Sequence, residues 1–165
     1  MEPPKRISLS FSLAEQCFDV TRSIGLLNLS LGMLDSLVRH PQVDQVTLFS
    51  NSTFRQLDLP PNVTVLQCEA ANGRGLKRIW WDQFGAYRAA RQAGHGWLMM
   101  PKGFVSFLRP PPVRLAAYVP DTMQDYYDRT YAHLPCSLAA RMEGIYLRRS
   151  LREALQYARV IFTCS

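Results

Sequence analysis

The sequence lacks the patterns that define several common classes of protein. No apolar run approaches the roughly 20 residues that a membrane-spanning helix needs, and the chain starts with a polar, proline-containing segment. We therefore predict neither a signal peptide nor a transmembrane helix. The four cysteines are far apart and form no C-x-x-C pair, which argues against the usual zinc and dithiol motifs. We expect reduced, mostly buried thiols at Cys17, Cys68, Cys136 and Cys164.

The signatures of several enzyme classes are missing as well. No G-x-G-x-x-G follows the first predicted strand and no G-x-x-x-x-G-K-[ST] is present, which argues against a dinucleotide-binding domain and a P-loop NTPase. There is no G-x-S-x-G and no H-E-x-x-H, and the three histidines are scattered. We expect no metal ion and no cofactor, so any catalysis would depend on carboxylates or on a partner.

The chain does carry an excess of positive charge. Its 165 residues have a formal net charge of +6, and 47% of them are hydrophobic, which suits one domain with a proper core. Lys77 and Arg78 precede two tryptophans, and four arginines recur along a later helical segment. Each cluster is either a solvated helix face or a surface for anionic groups, such as those of a membrane. The four later arginines are Arg141, Arg148, Arg149 and Arg152.

Alternating apolar segments predict a single α/β domain over residues 1–165. Strands that alternate with helices favour a doubly wound, mainly parallel, Rossmann-like sheet with right-handed crossovers. The final strand, Val160 to Ser165, is expected to lie in the core. The earlier predicted strands are Ile7 to Leu13, Val46 to Phe49, Val63 to Gln67, Trp97 to Met100 and Val113 to Val119. The predicted helices run from Ser23 to His40, from Leu76 to Ala93 and from Ser137 to Tyr157.

The second of these helices has a predicted core-facing side. Helical periodicity places six of its apolar or small residues toward the core. They are Leu76, Ile79, Trp80, Phe84, Tyr87 and Ala90.

Two strand ends carry candidate binding residues, because ligands of such sheets bind beyond the carboxyl ends of the strands. Lys102 and Gly103 follow one central strand, where the lysine is suited to an anionic or hydroxyl-rich ligand. A solvated turn is the alternative. Asp121 follows the next strand and could orient a hydroxyl group or accept its proton. Helix capping by Asp121 is the alternative there.

The order of these segments resembles the amino-terminal domain of GT-B glycosyltransferases of the mannosyltransferase-like group, often called family four. Most of the chain takes part in the resemblance. The matching segments are Ser23-Ile24-Gly25, Ile79-Trp80-Trp81-Asp82-Gln83, Pro101-Lys102-Gly103-Phe104, Val119-Pro120-Asp121-Thr122 and Ala158 to Ser165.

The resemblance implies a role for several residues. Gly25 would lie near the diphosphate of the donor, where the missing side chain lets backbone N–H groups approach. Asp121 would face the reaction centre as the catalytic residue, and Lys102, Gly103 and Thr122 would line the acceptor side. The chain departs from the family at the helix entry, where a serine replaces the first of two glycines. It departs again before Asp121, where a proline replaces histidine.

The resemblance also implies a function. The chain would be the acceptor-side domain of a retaining glycosyltransferase, which moves a hexose from a nucleotide sugar to a glycan or lipid-linked acceptor. The donor-binding domain, with its paired glutamates seven residues apart, is expected to follow Ser165, so the chain alone should be inactive. We expect a cytoplasmic protein, free or peripherally attached to a membrane, with no nucleic-acid partner. The alternative is a non-catalytic Rossmann-like binding or assembly module, or a truncated gene product.

Overall fold

The computed structural model describes residues 6–16, 24–53, 58–69, 76–119, 129–130 and 137–163. Both strands and helices occur along these residues, and residues 101–113, between the fourth and fifth strands, form no helix. The strands are β1 (Ile7–Ser12), β2 (Val43–Ser50), β3 (Val63–Gln67), β4 (Trp97–Met100), β5 (Arg114–Tyr118) and β6 (Ala158–Phe162). The helices are α1 (Ile24–Val38), α2 (Leu76–Trp80), a π-turn (Trp81–Gly85), α3 (Ala86–Gln92) and α4 (Leu138–Tyr157).

All six described strands form one parallel sheet in the order β3-β2-β1-β4-β5-β6. The crossover from β3 to β4 passes β2 and β1, so β4 pairs with β1, with Leu9 opposite Trp97. The predicted α/β Rossmann-like class is therefore confirmed. β4 and β5 are covered on both faces, which explains why their sequences are almost continuously apolar.

Two hydrophobic clusters lie on the opposite faces of the sheet. Neighbouring strand residues alternate between them: Leu48 belongs to the cluster that includes α1, whereas Phe49 belongs to the cluster that includes α3 and α4. Leu34 of α1 is almost fully buried in the first cluster, and Ala154 of α4 is fully buried in the second. The helices on both faces make the sheet doubly wound.

The helix after residue 76 corrects one expectation. Leu76, Ile79 and Trp80 are exposed instead of facing the core, whereas Trp81 is buried. The physical reason is the π-turn, in which the backbone N–H of Ala86 donates to the carbonyl of Trp81, five residues earlier. One extra residue in a turn rotates the residues before it relative to those after it. The core-facing side predicted from a 3.6-residue period is therefore wrong for the residues that precede the π-turn.

The final strand gives a second correction. β6 is an edge strand of the described sheet and pairs only with β5, so it does not lie in the core. Val160, Ile161 and Phe162 are each 38–39% exposed. Their apolar character predicts a strand correctly, but it cannot distinguish a central strand from an uncovered edge.

In the part of the chain that the structure describes, no helix combines the length and the apolar character needed to cross a bilayer.

Candidate functional site

The candidate site lies at the carboxyl edge of the sheet, between β1 and β4. These strands are neighbours, but their chain connections lead in opposite directions along the sheet, to β2 and to β5. The loops that follow them therefore diverge and leave a crevice, which is where open α/β sheets bind ligands. The two loops are Leu13–Gln16 after β1 and Pro101–Phe107 after β4.

Glu15 is at the centre of this crevice. Its backbone carbonyl accepts hydrogen bonds from the Arg78 guanidinium at 3.1 Å and from Lys102 Nζ at 3.4 Å. Its side chain is only 6% exposed, and the Ser12 hydroxyl donates to its Oε2 at 2.6 Å. Oε1 is buried and has no hydrogen-bond partner among the described residues. A buried carboxylate oxygen normally has a hydrogen-bond donor.

A buried ion pair fixes Arg78 beside Glu15. Its Nε donates to both carboxylate oxygens of Asp82, at 3.0 and 2.9 Å, one helical turn further along the chain. Tyr146 of α4 donates its hydroxyl to Asp82 Oδ2 at 2.8 Å. Burial raises the pKa of Asp82 to about 6, because desolvation outweighs the stabilising charge of Arg78, and the charge of Glu15 raises it further.

The π-turn also fixes the loop after β4. The Gln83 side-chain carbonyl accepts hydrogen bonds from the backbone N–H groups of Phe107 and Leu108, and the Tyr87 hydroxyl accepts one from Ser106. Trp81, Asp82 and Gln83 are three consecutive buried residues. Both polar side chains of this turn therefore face the interior of the protein, Asp82 toward α4 and Gln83 toward the loop after β4.

Gly103 sets the shape of this loop at its start. It has a φ of +65°, and a Cβ there would come within 2.6 Å of the Tyr118 carbonyl oxygen of β5. Only glycine meets both conditions, the left-handed backbone and the close approach of the neighbouring strand. The glycine therefore lets the loop fold tightly against the end of β5 and leaves Lys102 beside Glu15.

Asn51 ties the loop after β2 to the loop after β1. Its side-chain amide is fully buried and donates to the carbonyls of Ala14 and Gln16, at 2.7 and 2.6 Å. Gln16 in turn donates to the Ser30 hydroxyl of α1 at 3.0 Å. The backbone around Glu15 is thus held from β2, α1, α2 and β4, which makes it a rigid part of the crevice.

The structure brings together some of the residues predicted from the sequence. Lys102 and Gly103 lie in the crevice, as expected for residues at the end of a central strand. Gly25 lies in the first turn of α1, and a Cβ added at this position would have no neighbour within 4 Å. Asp121 and Thr122 lie outside the described residues, so their expected roles stay predictions.

The two predicted cation clusters differ in the structure. Arg78 is paired and mostly buried, so it belongs to the crevice and not to an exposed patch. Arg141, Arg148 and Arg152 lie on the exposed side of α4, whereas Arg149 stacks over the Phe107 ring at 5.8 Å. The α4 cluster is therefore largely a helix face that is open to solvent.

Sequence reasoning missed Glu15, Asp82 and Tyr146 as members of one site. The spacing of four residues between Arg78 and Asp82 is a recognisable signal for a helical ion pair. Glu15 and Tyr146 carry no such signal, because their partners are distant in the sequence and are brought close only by the sheet and by α4.

Among the described residues, no group of three His, Cys, Asp or Glu side chains could hold a metal ion. Comparison of the chain with known proteins gives no match to a family model, to a curated protein or to a solved structure.

Proposed function

We propose that this chain is the acceptor-side domain of a retaining glycosyltransferase that moves a hexose from a nucleotide sugar to a glycan or lipid-linked acceptor. The observation that carries the proposal is the position of Lys102 beside Glu15 in the crevice between β1 and β4. A sugar presents several hydroxyl groups, and each can donate one hydrogen bond and accept others. The partly exposed Lys102 ammonium would donate to one of these hydroxyl groups.

The resemblance supports the same division of roles along this edge. Gly25 would lie near the donor diphosphate, since an open first turn of a helix offers backbone N–H groups to an anion. Asp121 follows β5 in the sequence and would face the reacting hydroxyl. The donor would bind mainly to a second α/β domain, on the same polypeptide or on a partner chain.

Acceptor binding can be tested on the chain as it stands. We expect octyl mannoside to shift the backbone amide NMR signals of residues 102–106, and Lys102→Ala to abolish the shifts. Lys77→Ala is the matched control, because it removes a lysine from the exposed surface of α2 and should leave the shifts in place. Equal loss in both variants, or shifts confined to α4, would count against the crevice as the acceptor site.

Sugar transfer needs a separate test. We expect the chain alone to release no nucleoside diphosphate from UDP-glucose or GDP-mannose. In an assembly that includes the donor-binding domain, Asp121→Ala should lower kcat by at least about a hundredfold, as expected for the loss of an acid–base group. Unchanged turnover in that variant would remove Asp121 from the mechanism.

A second function is favoured by the exposed edge of the sheet. β6 presents Val160, Ile161 and Phe162 with an unpaired side in the described sheet, and such an edge can accept a strand from another protein. The chain would then be a binding or assembly module without catalysis. The two functions differ in one respect: only the glycosyltransferase requires a second α/β domain with paired glutamates.

A further inference from the structure

An open cleft at the opposite edge of the sheet has no part in the proposed function. It lies where β4, β5 and β6 begin, and its volume is about 750 Å³. Three segments at the starts of these strands form its walls, namely residues 94–96, residues 110–113 and residues 156–159. The backbone N–H of Arg114 donates to the carbonyl of Gly96 at 3.0 Å, which joins two of these walls.

The charged side chains that line this cleft in the described part of the chain are all arginines. Arg91, Arg114 and Arg159 line it, and we call it the arginine cleft. A second cavity of about 440 Å³ adjoins it across Pro110–Pro112, shares Arg91 and adds Arg88 and Arg109. No aspartate or glutamate lines either cavity in the described part of the chain, and the ion pairs Arg6–Asp44, Arg39–Asp35 and Arg78–Asp82 lie elsewhere.

Two of these guanidinium groups are held in place by aromatic rings. The Arg114 guanidinium lies 5.4 Å from the centre of the Trp97 ring, which packs on the α1 face of the sheet, and that of Arg109 lies 5.9 Å from the ring of Phe84 in the π-turn. Stacking on a ring leaves the N–H groups at the edge of the guanidinium plane free to donate. Two parallel N–H groups of a guanidinium match two oxygens of a phosphate group. An arginine that is already held by a ring loses little side-chain entropy when it binds the phosphate.

Helix ends account for only part of the cluster. α3 and α4 both end at the cleft, and the partial negative charge of a helix C-terminus attracts a cation. This attraction gives Arg91, in the last turn of α3, and Arg159, just after α4, a structural reason to be there. α3 also closes with Gly94 at φ +73°, and Gly94 and His95 donate to the carbonyls of Arg91 and Ala90, so its last carbonyls are already satisfied. Attraction to a helix C-terminus does not explain the positions of Arg88, Arg109 and Arg114.

We propose that the arginine cleft binds a ligand that carries at least two linked phosphate groups. Several like charges around one cavity repel each other, and a multivalent anion would remove that repulsion. The lining is largely polar, so the cleft suits the phosphorylated part of a molecule and not an acyl chain. Such phosphates occur both in soluble compounds and in lipid head groups, and the two present the same chemistry. The proposal does not rest on the glycosyltransferase function.

The probe for the test is inorganic tripolyphosphate, titrated into the whole chain by calorimetry at low and moderate salt. We expect saturable binding at one site, a rise in Tm with ligand concentration, and weaker binding of orthophosphate. Arg114→Gln and Arg159→Gln should each weaken binding about tenfold. The affinity of Arg114→Lys should lie between those of the Gln variants and the parent, because lysine keeps the charge but lacks the paired N–H groups of a guanidinium. Circular dichroism would confirm that each variant folds.

Arg141→Gln is the matched control, since it removes the same charge from the exposed side of α4. Unchanged affinity in this variant supports the cleft. Equal weakening by Arg141→Gln and Arg114→Gln would overturn the proposal, because the binding would then follow net charge alone. Orthophosphate binding as tight as tripolyphosphate binding, or no saturable binding, would overturn it as well.

Vesicles identify the source of the phosphates once the site is established. If vesicles that contain a phosphatidylinositol bisphosphate displace tripolyphosphate, the natural ligand is a lipid head group. If they do not displace it, the ligand is a soluble phosphate compound. Either result is compatible with a site for linked phosphates.

Discussion

Among the described acidic and basic residues, Asp82 has the most deeply buried side chain. It is fully buried, accepts hydrogen bonds from Arg78 and Tyr146, and lies near Glu15. Removing a carboxylate from water costs more than its pairing with one guanidinium returns, which is why its pKa rises and does not fall. The residue links α2, the π-turn and α4, and it holds Arg78 against the Glu15 carbonyl.

The raised pKa of Asp82 predicts a pH dependence of stability. The pKa is 3.8 for an unperturbed group and about 6 here, so between pH 4 and 6 the folded protein binds more protons than the unfolded chain. The free energy of unfolding should therefore fall as pH rises through this window, by up to about 3 kcal/mol.

Asp82→Asn should abolish this contribution, which urea unfolding at pH 4 and pH 6.5 would measure. The variant also leaves Arg78 without its carboxylate, so it should be less stable than the parent at pH 6.5. An identical fall in stability over this window in both proteins would contradict the assignment to Asp82.

Gly103 makes a second prediction about a single residue. Gly103→Ala adds a side chain at φ +65° and within 2.6 Å of the Tyr118 carbonyl oxygen, and should cost about 2 kcal/mol or more. Gly94→Ala is the matched control, since Gly94 has a similar φ of +73° but open space around it, and should cost about 1 kcal/mol. Chemical denaturation of both variants would measure the difference. Equal costs would show that the contact with β5 contributes nothing.

Among the elements, the π-turn has the largest effect on the site. It buries three consecutive residues and fixes the loop after β4 through Gln83. Phe49 packs edge-on against Trp81, with ring centres 5.9 Å apart, so the turn is also anchored to the sheet. The π-turn therefore contacts both the core, through Trp81, and the loop after β4, through Gln83.

Gly85 closes the π-turn and provides a test of it. A Cβ at Gly85 would approach the Trp81 and Trp80 rings to 2.6 and 2.8 Å, and Trp81 is buried and unable to move freely. Gly85→Ala should therefore destabilise the protein by about 1–3 kcal/mol. Gly32→Ala on α1, where nothing lies within 4 Å, should stabilise it by up to about 1 kcal/mol. Thermal unfolding of the pair would show whether the space at Gly85 is needed.

Over the whole molecule, the exposed apolar edge at β6 predicts association. Ile161→Lys should lower light scattering at high protein concentration without changing the circular dichroism spectrum, because a charge on an edge strand opposes strand pairing. Leu155→Lys is the control, since it adds the same charge at an exposed apolar position of α4. A larger effect of Leu155→Lys would place the association on the helix and not on the edge.

Much of the fold could be predicted from local patterns. β3 and β4 begin and end at the predicted residues, and α4 begins after Ser137, whose hydroxyl accepts from the N–H of Ala140 as an N-cap does. Lys102 and Gly103 could be placed at the carboxyl edge of the sheet because they directly follow a predicted strand. The failure at Leu76 to Trp80 has a defined cause, since a π-turn changes the helical phase and has no sequence signal of its own.

The sequence by itself determined where most strands and helices form, because apolar periodicity and chain breakers act over a few neighbouring residues. Only the tertiary structure decided which strands lie at the edges, since the apolar sequence of a strand does not show whether it has one or two neighbouring strands. It also decided that Glu15, Arg78, Lys102 and Tyr146 share one crevice, and that five arginines surround the two cavities at the opposite edge. These groupings depend on contacts between residues far apart in the chain, and no local pattern encodes them.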